Sequence, residues 1–296
     1  MRYLKAVVNL SSAPSLDWRG PRTAAGLLAG AALGAAGALT QSTIRNPLAS
    51  PDLLGITGGA SAAAVTVIVI GAPTTGVKGT LVLPLAALMG GILVALFLWG
   101  LSSLRGSGLM RLLLSGVLLT ALCGAYINWL LVNADLWDAA NAQTWLNGSL
   151  EATSWERTAP VFVALVISLP IGGWAAPRLA RMYLGLDTAS GLGVNIKRTR
   201  IVVLFIAVLL ASTAAAAVGP LGFAALLAPH VARMLTGAHQ PPIAASTLSG
   251  AVVVLSSDIA VRTFIPSDPP VGVVTSALGG ALLLYLLLRT SQRKLT

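Results

Sequence analysis

Charge is what this 296-residue chain has least of. Asp, Glu, Lys and Arg together make up 9% of it, against roughly 25% in ordinary globular proteins. A water-soluble protein of this length could not cover its surface with so little charge, so one or two soluble domains are excluded. Cysteine is reduced to Cys123, inside an apolar run, which excludes an intrachain disulfide and leaves the redox compartment open. Histidine is nearly as scarce. His230 follows Pro229 with no Cys, Asp or Glu nearby to complete a metal site, so it is expected to be hydrogen-bonded rather than ligating. Met1 to Asp17 lacks a continuous apolar stretch before a small-residue cleavage site, so no secretory signal is read there.

What is abundant is apolar. Such residues reach 56% and the mean hydropathy is +0.85. Runs of about 20 apolar residues, enough to cross a bilayer as a helix, recur at 23–41, 53–72, 79–101, 109–133, 159–176, 201–219, 243–264 and 271–289. A shorter run lies at 221–236. The sequence therefore predicts an all-α, polytopic membrane protein of about nine transmembrane helices. Residues 1–22 are expected to be extramembrane, 23–289 the membrane domain and 290–296 a cytoplasmic tail.

Sidedness follows from the loops. Residues 133–158 carry Asp135, Asp138, Glu151 and Glu156 against Arg157 alone, which places them outside. Residues 178–200 carry Arg178, Arg181, Lys197, Arg198 and Arg200 against Asp187, and the C-terminus carries Arg289, Arg293 and Lys294, which places both inside. Arg45, Arg105 and Arg111 fall inside by alternation. The same alternation puts Arg2, Lys5, Arg19 and Arg22 outside, an exception that asks for a cause. Trp129, Trp137, Trp145 and Trp155 bracket the outer loop as interfacial anchors do, with ligand stacking the less economical reading. The net charge of +10 sits beside spans rather than on a solvated basic face, so nucleic acid is not an expected partner.

Four features carry further information. In RNPLASPDLLGITGGA, Pro47 and Pro51 remove amide donors and bias Asn46 and Ser50 away from helix, while Gly55, Gly58 and Gly59 permit close packing: a tight corner. Leu27–Gly37 laid on Leu209–Gly219 gives a weak echo that also superposes Pro47 on Pro229, the sign of an inverted repeat if chance in Ala-rich helices is set aside. Gly71 to Gly79 approaches a Walker pattern, but Lys78 is one place late and no Ser or Thr follows, so no nucleotide site is expected on this chain. Asp258 and Arg262 are spaced to pair on one helix.

The corner resembles that of the FecCD-type permeases, the siderophore, haem and vitamin B12 importers of the ATP-binding cassette (ABC) class. WLNGSLEATSWERTAP at 145–160, LGLDTASGLGVNIKRTR at 184–200, GPLGFAALLAPHVARMLTG at 219–237 and PVGVVTSALGGALLLYLLLR at 270–289 are similar to family segments in the same order. The chain departs at Ala238-His239-Gln240, where Asp-His-Arg is usual, and at Asp268-Pro269-Pro270, where Glu-Leu-Pro is usual. No counterpart of the family's first helix precedes residue 19.

The resemblance implies the family's ten-helix fold less that helix, and a transport subunit rather than an enzyme. Ferric siderophore is the implied cargo, with cobalamin or haem as alternatives. Partners would be a second permease copy or paralogue, two ABC ATPase subunits holding ATP and Mg, and an extracytoplasmic binding protein, in the bacterial cytoplasmic membrane. The residues alone read 178–200 as two short helical pieces with Gly185, Gly191 and Gly193 as candidate breaks, a solvated basic loop; the resemblance implies that Leu184, Gly185, Asp187, Ala189, Gly191, Leu192 and Gly193 couple to the ATPase subunit. Arg19, Arg22 and Arg262 would dock the binding protein, with a plain Asp258 pair the alternative for Arg262. Asn46, Pro47, Pro51 and Gly55 form the corner motif, and Thr120, Tyr126 and Asn128 are candidates to line the path. A secondary transporter coupled to an ion gradient is the rival of another class, with Asp258 as its sole candidate carboxylate. No catalytic group, metal or cofactor is expected on this chain.

Overall fold

A computed structural model describes residues 15–71, 76–103, 109–151, 153–265 and 269–292. Arg105 and Asp268 lie outside the described residues, as do 1–14, 72–75 and 293–296. Every regular element among those described is a helix: α1 (Ser15–Ile44), α2 (Ile56–Val69), α3 (Gly76–Ser103), α4 (Leu109–Asn133), α5 (Leu136–Leu146), α6 (Trp155–Tyr183), α7 (Leu186–Gly191), α8 (Ile196–Val218), α9 (Ala224–Thr236), α10 (Ile243–Phe264) and α11 (Val271–Gln292). Six are long and apolar enough to cross a bilayer, and α2 and α11 contribute shorter apolar stretches.

Two expected elements take a different form. The run at 53–72 is divided, because Pro51 to Gly55 make turns and only Ile56–Val69 is helical. The outer loop holds a helix of its own, α5, opened by Asp135 in extended conformation. The short run at 221–236 is realised as the 13-residue α9. At the N-terminus, helix α1 starts at Ser15, inside the stretch expected to precede the membrane, while its span-like part begins at Gly20.

Helix α1 is the buried axis, packed by α8, α9, α6 and, most extensively, α10. Without a hydrophobic gain between helices in lipid, close approach of small residues has to supply the packing. Gly30 faces the Gly250 carbonyl, Gly34 faces Ser246, and Gly37 faces the Ala225 carbonyl of α9. At each of these glycines a side chain would overlap backbone of the facing helix. The polar end of α1 turns its hydroxyls inward: Thr40 donates to the Ala36 carbonyl at 2.8 Å and Thr43 to that of Leu39 at 2.7 Å. Satisfied in this way, they are tolerated at full burial.

Helix α4 is the least enclosed span and leaves Leu114, Val117, Leu118 and Leu122 exposed. Such a face suits lipid or another protein, not water.

Candidate functional site

Most of the candidate side chains gather at the two ends of the α1 axis. At one end, the chain leaves α1 through Arg45 (φ 54) and turns at Asn46, whose Oδ1 accepts from the Leu48 amide at 2.9 Å. Ser50 Oγ accepts from the Leu53 amide at 3.3 Å. Gly55, at φ 79, then starts α2 in the left-handed region that a residue with a Cβ adopts at a cost of about 1 kcal/mol. The corner leans on α4, where the Leu53 carbonyl and Leu54 back onto Gly116 and Thr120 Oγ1 reaches the Asp52 carbonyl at 3.4 Å. Corner residues Asn46, Pro47, Pro51 and Gly55 thus act as backbone-shaping positions.

Arg45 Nη1 also donates to the Met182 carbonyl at 3.5 Å, tying this end of α1 to the last turn of α6, just ahead of the segment 184–193. That segment is a six-residue helix between two glycine breaks, Gly185 (φ 120) and Gly193 (φ 78). Its C-terminus is a Schellman closure: the Val194 amide donates to Ala189 O at 3.0 Å and Gly193 to Ser190 O at 2.9 Å. Ala189 and Val194 are buried under it. Next, Asn195 caps α8 by accepting from the Arg198 amide at 2.9 Å. The fixed underside leaves Leu184 (68%) and Leu192 (52%) exposed, with Asp187, Gly191 and Gly193 on the same free surface. Two exposed leucines on a rigid knuckle are the features that composition alone did not single out.

At the opposite end, Asp258 is buried (2%) between two arginines. Arg22 Nε and Nη2 donate to its Oδ1 at 3.1 and 2.7 Å, and Arg262 Nη2 lies 2.9 Å from its Oδ2. Arg22 Nη1 faces Glu151 at 4.0 Å. Arg262 was paired to Asp258 by spacing, but Arg22 is 236 residues away and no spacing could find it. Arg22 is largely enclosed (16%), whereas Arg262 is open (38%). Arg19 lies on α1 ahead of the side chains that are described. The outer-loop residues lock onto the same end, since Gly272 N donates to Gly148 O at 3.1 Å and Ser149 N to Val218 O at 2.9 Å.

Two of the path candidates turn toward the 52–69 segment and the third does not meet it. Thr120 turns to the corner, Tyr126 bonds Thr66 of α2 through its hydroxyl at 3.1 Å and stacks beside Trp129, and Asn128 is exposed. His230 Nδ1 is 3.1 Å from Arg233 Nη2. Among the described residues no group of three His, Cys, Asp or Glu could hold a metal.

Apolar helices, six of them long enough to cross a bilayer, with the exposed Leu184–Gly193 knuckle at one end and the Arg22–Asp258–Arg262 cluster at the other, make up a multi-pass membrane bundle. The profile of the FecCD transport family matches residues 3–289, and the chain belongs to that family. It is 38% identical over 280 residues, 94% of this chain and 83% of the other, to the ferric enterobactin transport system permease protein FepG of Escherichia coli (strain K12). It is 40% identical over 273 residues, covering 92% and 80% of the two chains, to the Fe(3+)-citrate import system permease protein YfmE of Bacillus subtilis (strain 168). Among solved structures, a metal-chelate type ABC transporter in an inward-facing conformation superposes with a TM-score of 0.80 at 29% identity, covering 92% of this chain and 86% of that one.

Proposed function

We propose that this chain is the permease subunit of an ABC importer that carries a ferric siderophore or related metal chelate across the bacterial cytoplasmic membrane. The observation that carries the reading is the family match along nearly the whole chain to permeases of ferric chelates. Two copies, or one copy and a paralogue, would enclose the path. The Leu184–Gly193 knuckle would seat in the ATPase subunit, two of which would bind and hydrolyse ATP with Mg. Arg262, with Arg19 and Arg22, would receive carboxylates of the binding protein. The chain's own contribution would be conformational, since no acid, base and nucleophile converge among the described residues.

An ion-coupled secondary transporter loses its candidate group, because Asp258 is already neutralised by two arginines. Reconstitution with the cognate ATPase subunit and binding protein separates the two. Radiolabelled ferric chelate should accumulate in proteoliposomes only with ATP. Accumulation driven by a proton or sodium gradient without the ATPase would overturn the proposal.

Docking makes a second prediction. Arg262→Glu should slow binding-protein association by about tenfold at low salt and flatten its salt dependence, since rim charges act mainly on steering. An unchanged rate would remove Arg262 from the rim. Sidedness is checked in a Cys123→Ser background with a single cysteine at position 19. Labelling by a membrane-impermeant thiol reagent is expected in intact cells, and labelling only after lysis would redraw the topology.

A further inference from the structure

The contacts along α1 and α10 fall in one antiparallel register. Gly34 meets Ser246, Gly30 meets Gly250 four residues further along each helix, and Arg22 meets Asp258 eight residues beyond that on both. The seam is small residue against small residue at its first two rungs, passes Gly26 against Leu255, and ends in a buried carboxylate under two guanidinium groups. Backbones held this closely cannot slide, so the positions behind Arg22 and Asp258 are fixed before any partner arrives.

We propose that Asp258 is a positioning residue: it holds the Arg22 and Arg262 guanidinium groups side by side as one receptor for a carboxylate of the docking protein. This rests on the docking reading above. Two like charges from different helices would otherwise separate, and each long side chain would lose rotamer freedom on binding. Asp258 removes both costs. Its Oδ1 takes two donors from Arg22 and its Oδ2 faces Arg262, so a single carboxylate sets the distance and facing of the pair. Arg22 Nη1, toward Glu151, and the open face of Arg262 are left at the rim. Leaving a carboxylate in a span is expensive unless it is paired, and the pairing here serves a surface rather than a transport path.

The idea makes a prediction opposite in sign to simple electrostatics. Asp258→Asn adds a positive charge to a surface that receives carboxylates, so charge alone predicts tighter docking. Positioning predicts weaker docking through faster dissociation. The measurement is the association and dissociation rate of the cognate binding protein on the assembled transporter in nanodiscs. Dissociation should accelerate by about tenfold in Asp258→Asn while association is unchanged or faster. The acceleration should shrink to within about twofold when Arg262→Gln is already present, because the two then share one pathway of effect. Unchanged or slower dissociation in Asp258→Asn, or additive effects in the double variant, overturns the proposal.

If Asp258→Asn does not assemble, Asp258→Glu gives the same readout with the charge kept and the guanidinium groups displaced by one methylene. Dissociation within about twofold of the parent then overturns it. Arg262→Gln alone separates the two layers. No change in either association or dissociation would end the docking reading and this proposal together, whereas a changed rate there with unchanged dissociation in Asp258→Asn would leave docking standing and Asp258 without its role.

Discussion

Replacing Gly191 with tryptophan is expected to abolish chelate uptake while the permease still inserts, folds and can be purified. Gly191 is the last residue of α7, lies on its exposed face, and a Cβ built on it meets nothing within 4 Å. The substitution should therefore alter stability by no more than about 0.5 kcal/mol, as surface changes usually do. Anything it does to transport has to come from the surface that receives it. If the Leu184–Gly193 knuckle sits in a groove of the ATPase subunit, an indole at its tip prevents seating. Uptake should then fall by at least about tenfold, the equivalent of ~1.4 kcal/mol of lost contact. Gly193 is the wrong position for this test, since its φ of 78 makes any side chain strain the Schellman turn and confounds folding with coupling. Normal uptake by Gly191→Trp together with its ATPase partner would show that the segment does not couple.

Gly34→Leu should have the opposite profile, with loss of the folded protein itself. A Cβ there would stand 3.0 Å from the Ser246 carbonyl carbon and 3.2 Å from the Gly250 Cα, both backbone atoms that cannot rotate aside. Helices α1 and α10 would have to part, and the seam from Gly30 to the Arg22–Asp258 pair would part with them. Overpacking in a well-filled core costs about 1–3 kcal/mol where side chains can yield, and here none can. Little monodisperse protein should be recovered in detergent, at a markedly lower thermal aggregation temperature. Gly173→Leu on α6, where a Cβ meets nothing within 4 Å, is the matched control and should behave as the parent does. A Gly34→Leu protein as stable as Gly173→Leu would mean that the seam is not close-packed.

Much of the Leu184–Gly193 knuckle was legible in the sequence. Gly185 and Gly193 read as breaks and are breaks, because only glycine takes those backbone angles cheaply. Gly191 read as a break but closes the helix, since its left-handed neighbour two residues on already ends it. The corner was legible from Pro47 and Pro51, but its reach was not. The apolar run 53–72 counts as a full span by hydropathy, yet its first residues spend themselves on turns against Gly116. Helix α5 was missed because WDAANAQTWL is neither apolar enough for a span nor polar enough at its ends to read as more than a loop.

Composition and loop charge by themselves determined the solvent of this protein: so few charges and so many apolar runs can be stable only in lipid, whichever way the helices pack. Local spacing determined that Asp258 and Arg262 could meet, because one helix brings residues four apart together. Tertiary structure alone decided that Arg22 joins them. A contact across 236 residues depends on α1 and α10 lying in one register, and that register is set by which small residues let two backbones touch, a property of pairs of helices that no single segment carries.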